Sequence, residues 1–279
     1  MALGAVTAIS YFAAQALTRH RSVRPAVTPA DSGLIYQTVP LVARDGTKLE
    51  GWWIIPRDGV RRPDLATVVL AHAADGERPG ALTGKAGMLR HAAWLSRAGF
   101  IVLAFDFRSY GGSDGSKTSG GELEQQDLEA AVRLVRERAI GAPIVIFGTG
   151  MGASVALSAA AQDSSVAGTV ADSPSTSPTA SLLAGKSRIF REGFGNLYAD
   201  AVTSDAIKKL ISPASGRPLM LILDRTFYAS VRVVPPRTAL QSGEKALYRA
   251  HTSLAFPMPT EEYSIWVGWF LERILAPSG

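Results

Sequence analysis

Five short runs, residues 66–71, 100–105, 143–147, 166–170 and 219–223, are apolar at nearly every position. A strand that faces solvent on one side alternates polar and apolar residues, so runs of this kind are strands buried on both faces. Helical patterns lie between them. Residues 88–98 end at Gly99, and residues 122–139 carry Leu128, Ala131, Val132 and Val135 on one stripe and end at Gly141, glycine being the usual terminator of a helix. Ahead of these units, residues 34–42 and 49–55 flank the turn Arg44-Asp45-Gly46-Thr47 and read as an antiparallel pair. Repeated strand and helix units predict an α/β fold, a mainly parallel sheet of about eight strands with helices on both faces. Its ligand chemistry belongs at the carboxyl ends of the strands. There is no internal repeat and no low-complexity tract.

Composition narrows what such a domain can do. The chain of 279 residues has no cysteine, which excludes disulfides, zinc-thiolate sites and thiol catalysis. Its net charge of +5 is concentrated at the front, where residues 1–62 hold 8 Lys and Arg against 4 Asp and Glu, leaving 21 against 20 for the rest. A nucleic-acid surface needs clustered cations with interleaved aromatics, and the body of the chain offers none, so no nucleic-acid partner is expected.

Residues 1–18 contain no charged side chain, and Arg19, His20, Arg21 and Arg24 follow. Eighteen helical residues reach ~27 Å, close to the ~30 Å hydrocarbon thickness of a bilayer. We therefore divide the chain into an N-terminal hydrophobic anchor with its basic flank, residues 1–24, and one domain, residues 25–279. Cations on the C-terminal side of the segment place that domain in the cytoplasm. Two alternatives stay open. Ala14-Gln15-Ala16 resembles a signal-peptide cleavage site, although the charged n-region of such a peptide is missing, and the segment also suits a soluble or interfacial helix.

The loops at the strand ends carry a family resemblance. Phe147-Gly148-Thr149-Gly150-Met151-Gly152 joins a buried run to an Ala-rich helix, where α/β-hydrolases place G-x-S-x-G. Asp106-Phe107-Arg108-Ser109-Tyr110-Gly111-Gly112-Ser113-Asp114-Gly115 is similar to the superfamily's D-x-R-G-x-G-x-S-x-G loop. His72-Ala73-Ala74-Asp75-Gly76 takes the place of the H-G-x oxyanion loop, residues 172–177 resemble E-S-P-F-T-S, and Asp45-Gly46 fits an early D-G-x-x-L turn. Together these cover residues 34–275. The chain resembles the membrane-anchored serine hydrolases related to lipid and depalmitoylating esterases and to serine aminopeptidase-like proteins.

That resemblance implies a nucleophile, a histidine base, an acid that orients it and an oxyanion hole. At the nucleophile position stands Gly150, which has no side chain. Thr149 and Ser154 are the nearest hydroxyls for a displaced nucleophile, against a bland role in helix entry and packing. Aligning residues 231–236 with D-x-V-V-P-P puts Val231 at the acid, and Asp224, directly after a strand, is the nearest carboxylate. His251 is the candidate base. If residues 237–250 form the penultimate helix, as their Leu-Tyr-Arg-Ala ending suggests, His251 merely closes that helix. His72 reads as structural, His91 as helical and His20 as part of the basic flank. The backbone N–H groups of Met151 and of Ala73 or Ala74 are the expected oxyanion donors. No metal and no cofactor is implied.

These residues predict a pseudo-hydrolase at a membrane, a binding or scaffolding protein that keeps its pocket for an acyl, ester or peptide ligand. The alternatives are a carboxylic-ester, thioester or peptide hydrolase with a displaced nucleophile, and an inactivated variant of one. The lid segment, residues 177–213, mixes Arg, Lys, Asp and aromatic residues without a motif that names the ligand.

Overall fold

The computed structural model describes residues 26–56, 66–74, 84–174, 218–224 and 245–250, with residues 264, 265, 267, 268, 270 and 271. The anchor segment 1–24, the lid segment 177–213, Val231 and His251 lie outside the described residues. Eight strands form one sheet: β1 (Ile35–Val42), β2 (Lys48–Ile55), β3 (Thr67–Ala71), β4 (Ile101–Phe105), β5 (Ile144–Thr149), β6 (Val166–Asp172), β7 (Leu219–Asp224) and β8 (Lys245–Ala250). The strand order is β1-β2-β4-β3-β5-β6-β7-β8. β2 runs antiparallel to β1 and β4, and all other pairs are parallel. The helices are α1 (Gly84–Gly87), α2 (Leu89–Arg97), α3 (Glu124–Arg138) and α4 (Met151–Gln162), and a 3-10 turn at Pro29–Ser32 precedes the sheet.

The all-apolar runs are strands because both of their faces are covered. Successive side chains point to opposite sides of a sheet. Val68, Leu70, Val102, Ala104, Val145 and Phe147 therefore join one core with α2 and with Val267, Phe270 and Leu271. Val69, Ala71, Leu103, Phe105, Ile144 and Ile146 join a second core under α3 and α4. The stripe on α3 is buried as its spacing predicts, at Leu128, Ala131, Val132 and Val135.

The strand β8 overturns one expectation. A penultimate helix over residues 237–250 is one of the two readings the sequence leaves open, yet Lys245–Ala250 is a strand that pairs in parallel with β7. Ala, Leu, Lys and Arg favour a helix, but propensity is a weak prior, and the backbone bonds offered by the open edge of β7 override it.

At the other edge, β1 pairs among the described residues with β2 alone and carries Pro40 opposite Glu50. Two arginines of α3 reach it: Arg133 Nη2 donates to the Val42 carbonyl at 2.7 Å and Arg138 Nη1 to Gln37 Oε1 at 3.1 Å.

His91 of α2 sits in the core with its ring edge-on to Phe147 at 4.8 Å. Burial, with the charge of Arg90, pushes its pKa down to about 4. The unfolded chain, with an ordinary histidine near 6.5, binds the proton that the folded chain refuses, so stability falls as pH drops from about 6.5 towards 4. Between pH 7 and pH 5 the loss from this one residue is about 2 kcal/mol. Urea titrations at the two pH values, on the parent and on His91→Leu, should show the extra acid sensitivity in the parent alone. Equal pH slopes would remove His91 as its source.

Candidate functional site

The six parallel strands among the described residues end on the same rim of the sheet, and the described loops that sequence singled out follow directly from them. β3 runs into His72-Ala73-Ala74, β4 into Asp106, β5 into Gly150 and β6 into Ser173, while Ala250 at the end of β8 pairs with Asp224 at the end of β7. His251 is thus the residue directly after the last strand, although its own placement is outside the described residues.

Gly150 occupies the sharp turn between β5 and α4 with φ 53° and ψ −117°. For an L side chain this is strained backbone; for glycine it is open. The turn is tight because the neighbouring elements touch it. A Cβ on Gly152 would stand 2.1 Å from the Ala71 carbonyl oxygen, and one on Gly148 would stand 2.3 Å from that of Gly152. The first and last glycines of the motif therefore let α4 pack on β3 and β5. At Gly150 itself a Cβ would lie 2.9 Å from the Cβ of Ala73. Where the H-G-x pattern has glycine, this chain carries a methyl group, and that methyl fills the space into which a nucleophile's side chain would start.

The two hydroxyls nearest in sequence are bonded elsewhere. Thr149 is buried and its Oγ1 donates to Met88 Sδ at 3.7 Å. Ser154 Oγ donates to the Gly150 carbonyl one helical turn back, at 3.4 Å. A further hydroxyl stands at the rim, at a position the sequence does not single out as a nucleophile. Ser173, half-buried at the end of β6, adopts φ 50°. Its Oγ donates to Asp172 Oδ1 at 2.9 Å, and the Gly150 N–H donates to the Asp172 carbonyl at 2.9 Å. Only its neighbours in space, not its neighbours in sequence, reveal it.

The N–H groups expected as donors lie on two described loops. Met151 is the first residue of α4, so its N–H has no acceptor within the helix and the helix dipole adds to it. The His72 ring sets the other loop. Phe107 N–H donates to its Nε2 at 3.0 Å, so Nδ1 carries the proton and donates to the Ala73 carbonyl at 2.7 Å. Fixing that carbonyl aims the Ala74 N–H, on the opposite side of the same planar peptide, away from His72. The ring is packed edge-on between Phe107 and Tyr110, so His72 is the structural residue its position suggested.

The D-x-R loop braces the rim through a set of ion pairs and hydrogen bonds. Arg108 is buried; its Nε and Nη2 hold Asp127 and its Nη1 donates to Asp45 Oδ2 at 2.7 Å. The Arg108 bond, followed by those from Thr47, holds the Asp45 carboxyl down at about 2. Ser113 Oγ donates to the Asp106 carbonyl at 2.6 Å and accepts from Glu50 N–H at 3.0 Å. Ser109 replaces a family glycine and shows why glycine suits: it is buried with φ 67°, and its hydroxyl has no partner among the described residues. An unforeseen cation completes the brace. Lys85 is fully buried, bonded to Asp106 Oδ2 and at 2.8 Å to Glu50 Oε1, with its Nζ 4.7 Å from the centroid of the Trp52 ring. Among the described residues no cluster of His, Asp and Glu is placed to hold a metal ion.

Comparison with known proteins agrees with this geometry. Residues 83–215 match the family described as serine aminopeptidase, S33. The uncharacterized protein YfhR of Escherichia coli K12 is 34% identical over 122 residues, which cover 42% of this chain and 38% of YfhR. YfhR of Salmonella typhimurium is 31% identical over 138 residues, covering 47% and 41%. The chain thus spans about two fifths of the length of the curated relatives it matches. Among solved structures, the Pyrococcus furiosus esterase Pf2001 superposes with a TM-score of 0.63 at 24% identity, over 91% of this chain and 96% of that one. The α/β hydrolase GrgF of Penicillium gives a TM-score of 0.58 at 17% identity, over 87% and 99%. With its strand order and its glycine-built elbow, this chain has the α/β-hydrolase fold.

Proposed function

We propose that this protein is a membrane-anchored pseudo-hydrolase, which binds an acyl, ester or peptide carbonyl at the elbow without forming an acyl-enzyme there. One observation carries the reading: residue 150 keeps the elbow conformation as glycine, while the Ala73 methyl fills the space its side chain would enter. The donors at Met151 and Ala74 support binding, since a hole can hold a carbonyl oxygen when the nucleophile is gone. Loss of the nucleophile removes about 10⁶-fold in kcat from such a unit and leaves roughly 10³–10⁴-fold over water. The likeness to an esterase makes carbonyl compounds the ligand class to try first. The anchor at residues 1–24 and a cytoplasmic domain belong to this proposal, on the charge pattern alone. Among the described residues no helix is long and apolar enough to cross a membrane.

A second reading rests on Ser173. A strained serine beside the elbow, in the chain order Ser, Asp, His with Asp224 and His251, is the arrangement that a displaced nucleophile would need. One experiment separates the two. The full chain is treated with a fluorophosphonate, mapped by peptide mass, and assayed on short-chain aryl esters against His251→Ala. We expect no adduct and no turnover above that control. An adduct on Ser173 with turnover above the control replaces the pseudo-hydrolase with the enzyme.

A further inference from the structure

We propose that the outer face of α2 is a docking surface for an anionic bilayer, an inference that rests on the anchor at residues 1–24. Arg90, Trp94 and Arg97 follow one another at spacings of four and three, so they share one face of the helix, beside the buried Ala93. With Val27, Asp31 and Ser264 among others they line a cleft of about 520 Å³. Both arginines are exposed and Trp94 is half-buried. Ile265, beside Ser264, is an apolar side chain left 62% exposed.

Chemistry and position point to the same occupant. An aromatic ring with a guanidinium about one turn to each side suits a headgroup layer, with the ring at the acyl-ester level and the cations on the phosphates. Neither Arg90 nor Arg97 forms an ion pair among the described residues. Asp31, the acid lining the cleft, is engaged by Thr28, whose N–H donates at 2.7 Å and whose Oγ1 donates at 3.0 Å. One side of the Trp94 ring packs against the core and its indole N–H is buried there, without an acceptor among the described residues, so only the outer part of the ring is offered to a bilayer. The chain reaches the cleft at Val27, three residues past Arg24, and three residues span at most roughly 10 Å. An anchor whose basic flank lies in the headgroups therefore delivers this face, rather than the elbow rim, to the bilayer surface. Beyond residue 62 the charges nearly balance, 21 against 20, so the attraction is local to this patch and the flank.

The test uses the full chain reconstituted with vesicles of phosphatidylcholine alone or mixed with phosphatidylglycerol, both containing lipid brominated high on the acyl chain. Flotation with neutral vesicles reads the anchor. Quenching of the Trp94 share of fluorescence, taken as parent minus Trp94→Phe, reads the docking face. We expect flotation in both mixtures, and Trp94 quenching at least about twofold greater in the anionic one, falling with added salt. The double variant Arg90→Gln with Arg97→Gln should still float and lose the difference. Flotation with equal Trp94 quenching in both mixtures overturns the docking face and spares the anchor. A chain that stays out of neutral vesicles overturns the anchor and this inference with it.

Discussion

Gly150→Ser is expected to lower stability by roughly 3 kcal/mol and to restore no ester turnover. Two terms add. An L residue at φ 53° is held in sparsely populated backbone, which costs about 1–3 kcal/mol. The new Cβ would also meet the Ala73 Cβ at 2.9 Å, and overpacking of this kind costs about 1–3 kcal/mol more. The second term is specific to one neighbour, so it can be removed. Gly150→Ser with Ala73→Gly should regain about half of the lost stability, because the strain remains while the contact goes. Activity should stay absent in both on the alignment that puts Val231 at the acid position, which leaves the new hydroxyl without a carboxylate to orient its base. Melting curves and aryl-ester assays on the parent, the single, the double and a triple variant with Val231→Asp give the comparison. Ordinary enzyme turnover from Gly150→Ser alone would show a complete triad around a missing nucleophile, and the pseudo-hydrolase reading would fall.

Lys85→Met should cost more, about 3–5 kcal/mol, which is the range for leaving a buried charge without its partner. The methionine keeps the length of the stem but abandons Asp106, whose side chain is wholly buried, and Glu50, which is 28% exposed. Asp106 accepts two backbone bonds as well, from Lys85 N–H at 2.7 Å and Gly112 N–H at 2.9 Å. Those bonds survive in the variant and do not replace the cation. Adding Asp106→Asn to Lys85→Met should recover a large part of the loss, because the orphaned charge is gone. Urea unfolding of the three proteins decides the matter: a single variant within about 1 kcal/mol of the parent means that water reaches Asp106 and relieves it.

The sheet was legible in the sequence wherever burial on both faces erased alternation, as at Val68, Val69 and Leu70. It was not legible at residues 245–250, where the strand exists because β7 has a free edge, a fact that no local pattern contains. The elbow showed in its glycine spacing, and the structure adds why each glycine is needed. Ala73 reads in the sequence only as part of the H-G-x loop and as an expected backbone donor. Its meaning depends on a contact with a residue 77 positions away, between loops that follow different strands. Lys85, flanked by glycine and alanine, reads as a solvated loop residue, since burial of a lysine depends on carboxylates brought in from β2 and β4. Ser173 was hidden for the same reason, because its backbone strain, and the bond from the Gly150 N–H to the carbonyl of its neighbour Asp172, belong to the folded rim.

The first strand has one more consequence, for how copies of this protein meet. An edge strand is a template on which a second chain can extend the sheet, and β1 leaves Ile35 and Val42 exposed, at 49% and 52%. Pro40 interrupts its row of N–H donors, and Arg133 takes the carbonyl of Val42. Arg138 holds Gln37 from the side and lies over the Trp53 ring at 5.6 Å. A missing donor and two guanidinium groups are ordinary guards against strand addition. These guards disfavour self-association through β1, and a variant that lost Pro40 and Arg133 together would expose a ladder on which fibrous, open-ended assembly could begin.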